Sequence, residues 1–435
     1  MRKVVLLTYT FPPQTSGATP VIMNMVKYLP SCGWEVLPLT ASNQSGIMPM
    51  DHSLCDRLPE NIKVTKVFHP DPMQVLSHLR RGKESAQPAE YAGTPEGGGF
   101  LRHAIHNYLL VPDRVITWLP LLLPAGTGLI EREQADLIIS HGPHHSTHIL
   151  ARVLSRITDI PHVAYFGDLW IYDSNTSWNS RLNLRMEKAL EKLIVEHADG
   201  ILASTPESVN YFRKEYGDNC PAAETLDNGY DPETAIPEYS DNSTRNYMLL
   251  TFTGNFWGEH SPKYIFAGIR EVLEKWPDAP LKLQLIGNLA PRFRHLAEEY
   301  GISSNLIITG VVPFSEVLKY QMEADVLLAC LSPLPGSEVK NSSKTAEYLR
   351  SGKPILAIAP EGSMTGYVKR FHAGYTSEPE TMSIARVIRE ILSDWQNNAL
   401  KHTADFDGIA DIFDGRIVMR RVGSFLDSIM KQRKD

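Results

Sequence analysis

Short apolar runs, the first of them Val4-Val5-Leu6-Leu7, alternate along this chain with amphipathic stretches whose apolar residues recur at helical spacing. That alternation leaves few options: each helix must carry the chain back across a sheet before the next buried strand begins, so the strands run parallel. Strands are expected at 3–8, 35–39, 63–68, 136–140, 162–166 and 200–204, with helices at 20–29, 145–157, 180–197 and 207–216. The segment 233–245 is polar, carries a proline and is poor in large apolar residues, as a linker is. Beyond it the rhythm restarts, with strands at 247–253, 281–286, 306–309, 325–331 and 354–358. The expected fold is α/β: two doubly wound, Rossmann-like parallel-sheet domains facing a cleft, 1–232 and 246–410, followed by a helix at 411–430. Ligands of such sheets bind outside the carboxyl ends of the strands, which makes the cleft the first place to look.

At 435 residues the chain is too long for one ordinary core, and its net charge of −7 argues against a nucleic-acid partner held by a basic surface. Cys32, Cys55, Cys220 and Cys330 lie far apart without metal or redox spacing, which fits a reducing, cytoplasmic setting. The apolar run after Met1 is too short for a signal peptide, and no segment reaches the roughly 18 apolar residues of a membrane span. A soluble protein, or one peripheral to the inner face of a membrane, is expected. Residues 77–99 break the rhythm as an insertion whose Arg80, Arg81 and Lys83 would meet anionic lipid or a diphosphate acceptor; a solvated loop is the plainer reading.

The segment 341–359 carries the densest chemistry. Asn341, Ser342 and Ser343 are good N-cap types, and a helix starting there aims its free N–H groups and positive dipole end at the preceding loop, where a phosphate binds well. Lys344 stands at that end, and a cation there is unfavourable without an anion nearby. Glu347 reaches the same end, and a carboxylate is the usual partner of ribose hydroxyls. The alternative is an amphipathic helix with Glu347 as its capping-box carboxylate. Gly17 after the first strand, Gly254 after the first strand past the linker, and Gly287 after the next lie in glycine-bearing loops at the same sheet edges. Each alone is an ordinary strand-to-helix turn; their recurrence suggests phosphate contacts. His141, His144, His145 and His148 lack zinc-ligand spacing, which leaves His141 and His145 as contacts to a sugar hydroxyl. Trp170 and Trp257 either stack on a sugar or lipid, or pack in the core.

In order and spacing these residues resemble the GT-B glycosyltransferases, specifically the retaining family 4 type, over nearly the whole chain. The resemblance runs through 9–18, 27–36, Asp136 to Ser140, Phe166-Gly167-Asp168-Leu169-Trp170, 205–207, 227–231, Thr253-Gly254-Asn255, Thr309 to Val312 and 343–355. It implies transfer of a sugar from a nucleotide diphosphate sugar (UDP or GDP) to a saccharide or lipid-linked glycan acceptor, in surface polysaccharide synthesis. No cofactor or bound metal is implied, and the donor lies mostly in the second domain. Position by position, Glu347 matches the ribose-binding member of the family's paired glutamates; its partner position holds Val339, with Glu338 one residue earlier. Ser343 and Lys344 match positions facing the diphosphate. Asn255 replaces a frequent arginine, Lys263 is the nearest cation, and Val312 joins the donor-binding set. Asp168 stands where many relatives carry a histidine. The resemblance also has the terminal helix cross back onto the first domain.

A leaving nucleoside diphosphate gains negative charge, so Lys344, Ser343 and the Gly17 loop would stabilise it. Asp168 would stabilise the oxocarbenium-like centre, place the acceptor or take its proton, unless it only caps a helix. Two other readings stay open: a GT-B-fold sugar-nucleotide epimerase, and a catalytically silent binding subunit.

Overall fold

The computed structural model describes residues 1–43, 50–71, 110–172, 181–237, 245–256 and 261–433. The 77–99 insertion, Trp257 and much of the linker lie outside the described residues. The chain divides into two units, Met1–Asp227 with Gly415–Asp435, and Asn228–Asp414.

The first unit is built on seven parallel strands: β1 (Arg2–Thr8), β2 (Trp34–Ala41), β3 (Thr65–Val67), β4 (Leu137–Gly142), β5 (His162–Phe166), β6 (Gly200–Ala203) and β7 (Ala223–Thr225). Their spatial order is β3-β2-β1-β4-β5-β6-β7. Val4 of β1 pairs with Val36 on one side and Leu137 on the other, so the most apolar strand lies inside the sheet. Side chains alternate across a strand. Accordingly Val4 and Leu6 pack with the helices Thr19–Tyr28 and Gly415–Gln432, whereas Val5 and Leu7 pack with Leu119–Glu133 and Ser146–Thr158.

The second unit repeats the plan with β8 (Met248–Thr253), β9 (Leu281–Ile286), β10 (Leu306–Gly310), β11 (Val326–Cys330), β12 (Ile355–Ile358) and β13 (Gly374–Ser377). All pairings are parallel, in the order β10-β9-β8-β11-β12-β13. Val326 and Leu328 face one layer of helices, Leu327 and Ala329 the other. In each sheet the order reverses beside the first strand, between β1 and β4 and between β8 and β11, and these reversals are where doubly wound sheets open a crevice for ligand.

Four elements depart from the sequence expectation. Strands β7 and β13 are too short and too polar to stand out as apolar runs. Leu119–Glu133 is a helix despite Pro124 in its interior, held by buried Leu122, Leu129 and Ile130. The helix expected over 411–430 is two, Phe406–Phe413 and Gly415–Gln432, parted at the extended Asp414. Tyr230 donates its N–H to the Phe413 carbonyl, and Ile409 and Phe413 belong to the second unit's core, so the apolar pattern runs on across a change of partner. Among the described residues no helix is long and apolar enough to cross a membrane.

Candidate functional site

In the second unit the residues singled out by the sequence gather at the reversal between β8 and β11. Gly254, directly past β8, has φ +143° and donates its N–H to the Ile286 carbonyl at 2.7 Å. Gly287, past β9, has φ +128°, and a Cβ there would fall 2.1 Å from the Gly254 carbonyl oxygen. The two loops therefore nest backbone on backbone, which only glycine permits. Asn255 completes the joint, its Oδ1 accepting the Asn288 N–H at 2.7 Å.

Lys344 lies across this joint. A Cβ on Gly254 would come within 2.7 Å of Lys344 Cε and 2.8 Å of Nζ, and Nζ stands 5.5 Å from the centre of the Phe252 ring. Burial pulls the ammonium pKa below the usual lysine value, while the Cys330 and Glu347 groups pull it back up. Burial likewise pushes the Cys330 thiol, at the end of β11, up to about 12, with Lys344 opposing. The lysine thus bridges the carboxyl ends of both strands at the reversal, and among the described residues its ammonium has no hydrogen-bond or ion-pair partner. A half-buried cation above a glycine-lined edge is a seat for an anion.

The helix behind it, Thr345–Ser351, begins one step later than the sequence suggests. Lys344 itself is the N-cap, without a side-chain cap, and Ser342 accepts the Thr345 N–H through its carbonyl at 2.9 Å. A full capping box needs a side-chain acceptor at that position, and lysine offers none, so only the carboxylate half of that motif is open to Glu347. Gly352, φ +72°, ends the helix. Half-buried Glu347 sits on the first turn and shares a small pocket with Gln321, Met322 and Arg350. Arg350 donates to the carbonyls of Asp231 at 2.9 Å and Thr234 at 2.7 Å, which fastens the start of this unit.

The remaining donor candidates flank this centre. Ser343 is half-buried, directly before Lys344. Glu338 accepts the Gly336 N–H at 3.0 Å, and its carbonyl accepts the Ser363 N–H at 2.8 Å, so its loop is tied to the start of the helix Ser363–Arg370. Lys263 opens the helix Lys263–Lys275 with its side chain exposed, and Val312 is half-buried past Gly310.

In the first unit, Gly17 is exposed between β1 and the helix Thr19–Tyr28. The strand ends of β4 and β5 carry a cluster of neutral imidazoles. Burial lowers the His141 pKa to about 4, with its own backbone and Asp168 opposing, and the His162 pKa to about 3. The Ser140 hydroxyl bridges His148 Nδ1 and His162 Nε2, 2.7 Å from each. His141 is 1% exposed, and neither ring nitrogen meets a hydrogen-bond partner among the described residues. Among those residues no group of three His, Cys, Asp or Glu side chains is arranged to hold a metal. Asp168, half-buried past β5, is close enough to act electrostatically on His141 and Tyr165. Trp170 is buried, stacked on His145 at 4.8 Å, with its indole N–H given to Glu187 at 2.7 Å; of its two expected fates, this is packing. Phe252 beneath the ammonium was not singled out from the sequence as a ligand-site element, since it looks like an ordinary strand-end residue.

Residues 16–226 match the family described as a glycosyl transferase 4-like domain. No curated protein sequence matches the chain. Sucrose-phosphate synthase from Thermosynechococcus elongatus superposes over 99% of this chain and 100% of its own, at TM-score 0.70 and 13% identity. Anabaena HepE in complex with UDP-glucose does so over 98% and 100%, at TM-score 0.65 and 15% identity. A variant of S. aureus TarM in complex with Fondaparinux, alpha-GlcNAc-glycerol and UDP does so over 99% and 100%, at TM-score 0.63 and 10% identity. The fold is GT-B.

Proposed function

We propose that this chain, a nucleotide-sugar glycosyltransferase of the GT-B type with a glycosyl transferase 4-like domain in its first unit, moves a sugar from a uridine or guanosine diphosphate sugar to a saccharide or lipid-linked glycan, with retention at the anomeric carbon and without a bound metal. The observation that carries this reading is the half-buried Lys344 side chain resting over the Gly254 edge of the second unit. As the bond from the anomeric carbon to the phosphate oxygen breaks, its electron pair goes to the diphosphate, and Lys344 with Ser343 offsets the new charge. Glu347 holds the ribose hydroxyls. Gly254, Asn255, Lys263, Val312 and Glu338 complete the donor set, and Gly17 belongs to the first unit, which takes the acceptor. Asp168 and neutral His141 serve the sugar and the acceptor hydroxyl, which bonds to the anomeric carbon and gives its proton to Asp168 or to an oxygen of the departing diphosphate. HepE with UDP-glucose and TarM with UDP favour uridine among the bases.

The test is a panel of uridine, guanosine and adenosine diphosphate sugars, first by thermal shift and then by nucleotide release with and without a lipid-linked glycan extract. A ligand at 100 times its Kd adds about 2.7 kcal/mol, enough for a true donor to stand out. One stabilising donor that turns over only with acceptor supports a transferase. Conversion of the donor sugar without acceptor identifies an epimerase, and binding without any turnover a silent subunit. No stabilisation by any member contradicts the donor site.

A further inference from the structure

The helix Arg181–Val195 buries Ile194 and Val195 at its end but carboxylates along its length. Its sequence invites burial of the leucines, yet Leu182 and Leu193 are 56% and 40% exposed, while the face that turns inward holds Asn183, Glu187 and Glu191 at a spacing of four. Glu187 is 4% exposed and Glu191 1% exposed, and neither carboxylate has a cation within ion-pair distance among the described residues. Burying two carboxylates against an apolar alternative is costly, since well-packed hydrophobic residues in such places are often neutral or stabilising. The cost needs a reason, and their hydrogen bonds supply one. Glu187 accepts the Trp170 indole N–H at 2.7 Å; Glu191 accepts the Ile171 backbone N–H at 2.9 Å with one oxygen and the Tyr216 hydroxyl at 2.6 Å with the other. Trp170 and Ile171 lie two and three positions after Asp168. On the other side of Asp168, the Gly167 N–H is given to the Gly142 carbonyl at 3.0 Å, and Tyr172 stacks on Tyr211 at 5.5 Å.

We propose that Glu187 and Glu191 are positioning residues for the transfer step: together they fix the short segment past β5 and so hold Asp168 in place at the strand edge. The inference rests on the reading of Asp168 as the carboxylate that serves the sugar or acceptor. Both glutamates touch neither partner of the reaction; they act through the backbone and the Trp170 ring. Glu187 also titrates where such a device would be felt. Burial pushes its carboxyl up to about 7, with Trp170 and Asn183 opposing and the charges of Asp113 and Glu191 adding.

Glu187→Met and Glu191→Met separate positioning from packing, because methionine fills the space without accepting a hydrogen bond. Positioning predicts variants that still fold cooperatively, with kcat reduced about tenfold or more and donor KM unchanged, as for a small misplacement of a reacting group. Glu191→Gln, which keeps an acceptor, restores most of the rate. The kcat against pH profile of the parent falls below about pH 7 as Glu187 loses its charge-assisted bond to Trp170, and Glu187→Gln loses that limb. If a methionine variant fails to fold, Trp170→Phe removes the N–H while keeping a ring against His145, and it must show the same kcat loss. Asp168→Asn is measured alongside. Full activity in Asp168→Asn overturns the reading on which the inference rests. A slow Asp168→Asn with methionine variants at parental kcat overturns the positioning role itself. Coupling, in which Asp168→Asn with Glu191→Met is no slower than Asp168→Asn alone, supports it.

Discussion

Replacing Gly254 by alanine puts the donor site under two separate loads that can be told apart. Its φ of +143° lies where a residue with a Cβ is strained by roughly 1–3 kcal/mol. The new methyl would also stand 2.7 Å from Lys344 Cε and 2.8 Å from Nζ. The second load is relieved cheaply, because the far end of a lysine swings aside, so the stability loss comes from the backbone alone. About 2 kcal/mol lowers the melting point of the Asn228–Asp414 unit by about 4–8 °C. The swing has a larger consequence for function. With the ammonium moved from the Gly254 edge, the charge on the leaving diphosphate loses its fixed partner, and kcat falls by about 10²–10³, the cost of deleting one preorganised charge-stabilising group. Thermal unfolding gives the first number, and nucleotide release at saturating donor and acceptor gives the second. Adding Lys344→Ala to Gly254→Ala then costs little more in kcat, because both act on one group. The reasoning is refuted if Gly254→Ala melts several degrees lower yet binds UDP and turns over like the parent.

Three further outcomes are expected. Glu347→Ala loses a charged acceptor for the ribose, so nucleotide affinity drops by roughly 1.5–3 kcal/mol in calorimetry while stability stays within about 0.5 kcal/mol; unchanged affinity removes Glu347 from the ribose. The pKa of Lys344 is lowered by burial, so UDP affinity fades as pH rises toward the ordinary lysine value, and Lys344→Arg shifts that loss to higher pH; parallel profiles in the two proteins contradict a titrating Lys344. Glu187 has its carboxyl raised from 4.5 to about 7, so the folded protein holds that proton more tightly than the unfolded chain. Its contribution is present at low pH and is lost as pH rises from about 4.5 to 7, on the order of 2–3 kcal/mol, and denaturant titrations of Glu187→Gln against the parent at pH 5 and 8 should show that slope removed.

The architecture was legible because buried parallel strands leave an unmistakable mark. Ile355–Ile358 and residues 163–166 are apolar runs, and the structure places strands on both. The polarity of β7 and β13 hid them, since edge strands need no apolar run. Lys344, Glu347 and Gly254 could be singled out by residue type and by their place at strand ends, yet nothing in the sequence says that the Lys344 chain rests on Gly254; that contact joins residues some ninety positions apart. The helix Arg181–Val195 misleads more deeply. Its leucines and its glutamates both recur at helical spacing, and which stripe faces inward is decided by the hydrogen-bond donors of Trp170, Ile171 and Tyr216, which a periodicity argument does not weigh.

The most direct measurement of the central claim is the UDP dissociation constant of the parent and of Lys344→Ala, by calorimetry at pH 7 and low salt, with uridine alone as the reference ligand. The account predicts that Lys344→Ala weakens UDP by about tenfold or more, as expected for a charge-assisted contact worth roughly 1.5–3 kcal/mol, and leaves uridine unaffected. Equal UDP affinities in the two proteins would contradict a diphosphate held at the β8–β11 reversal.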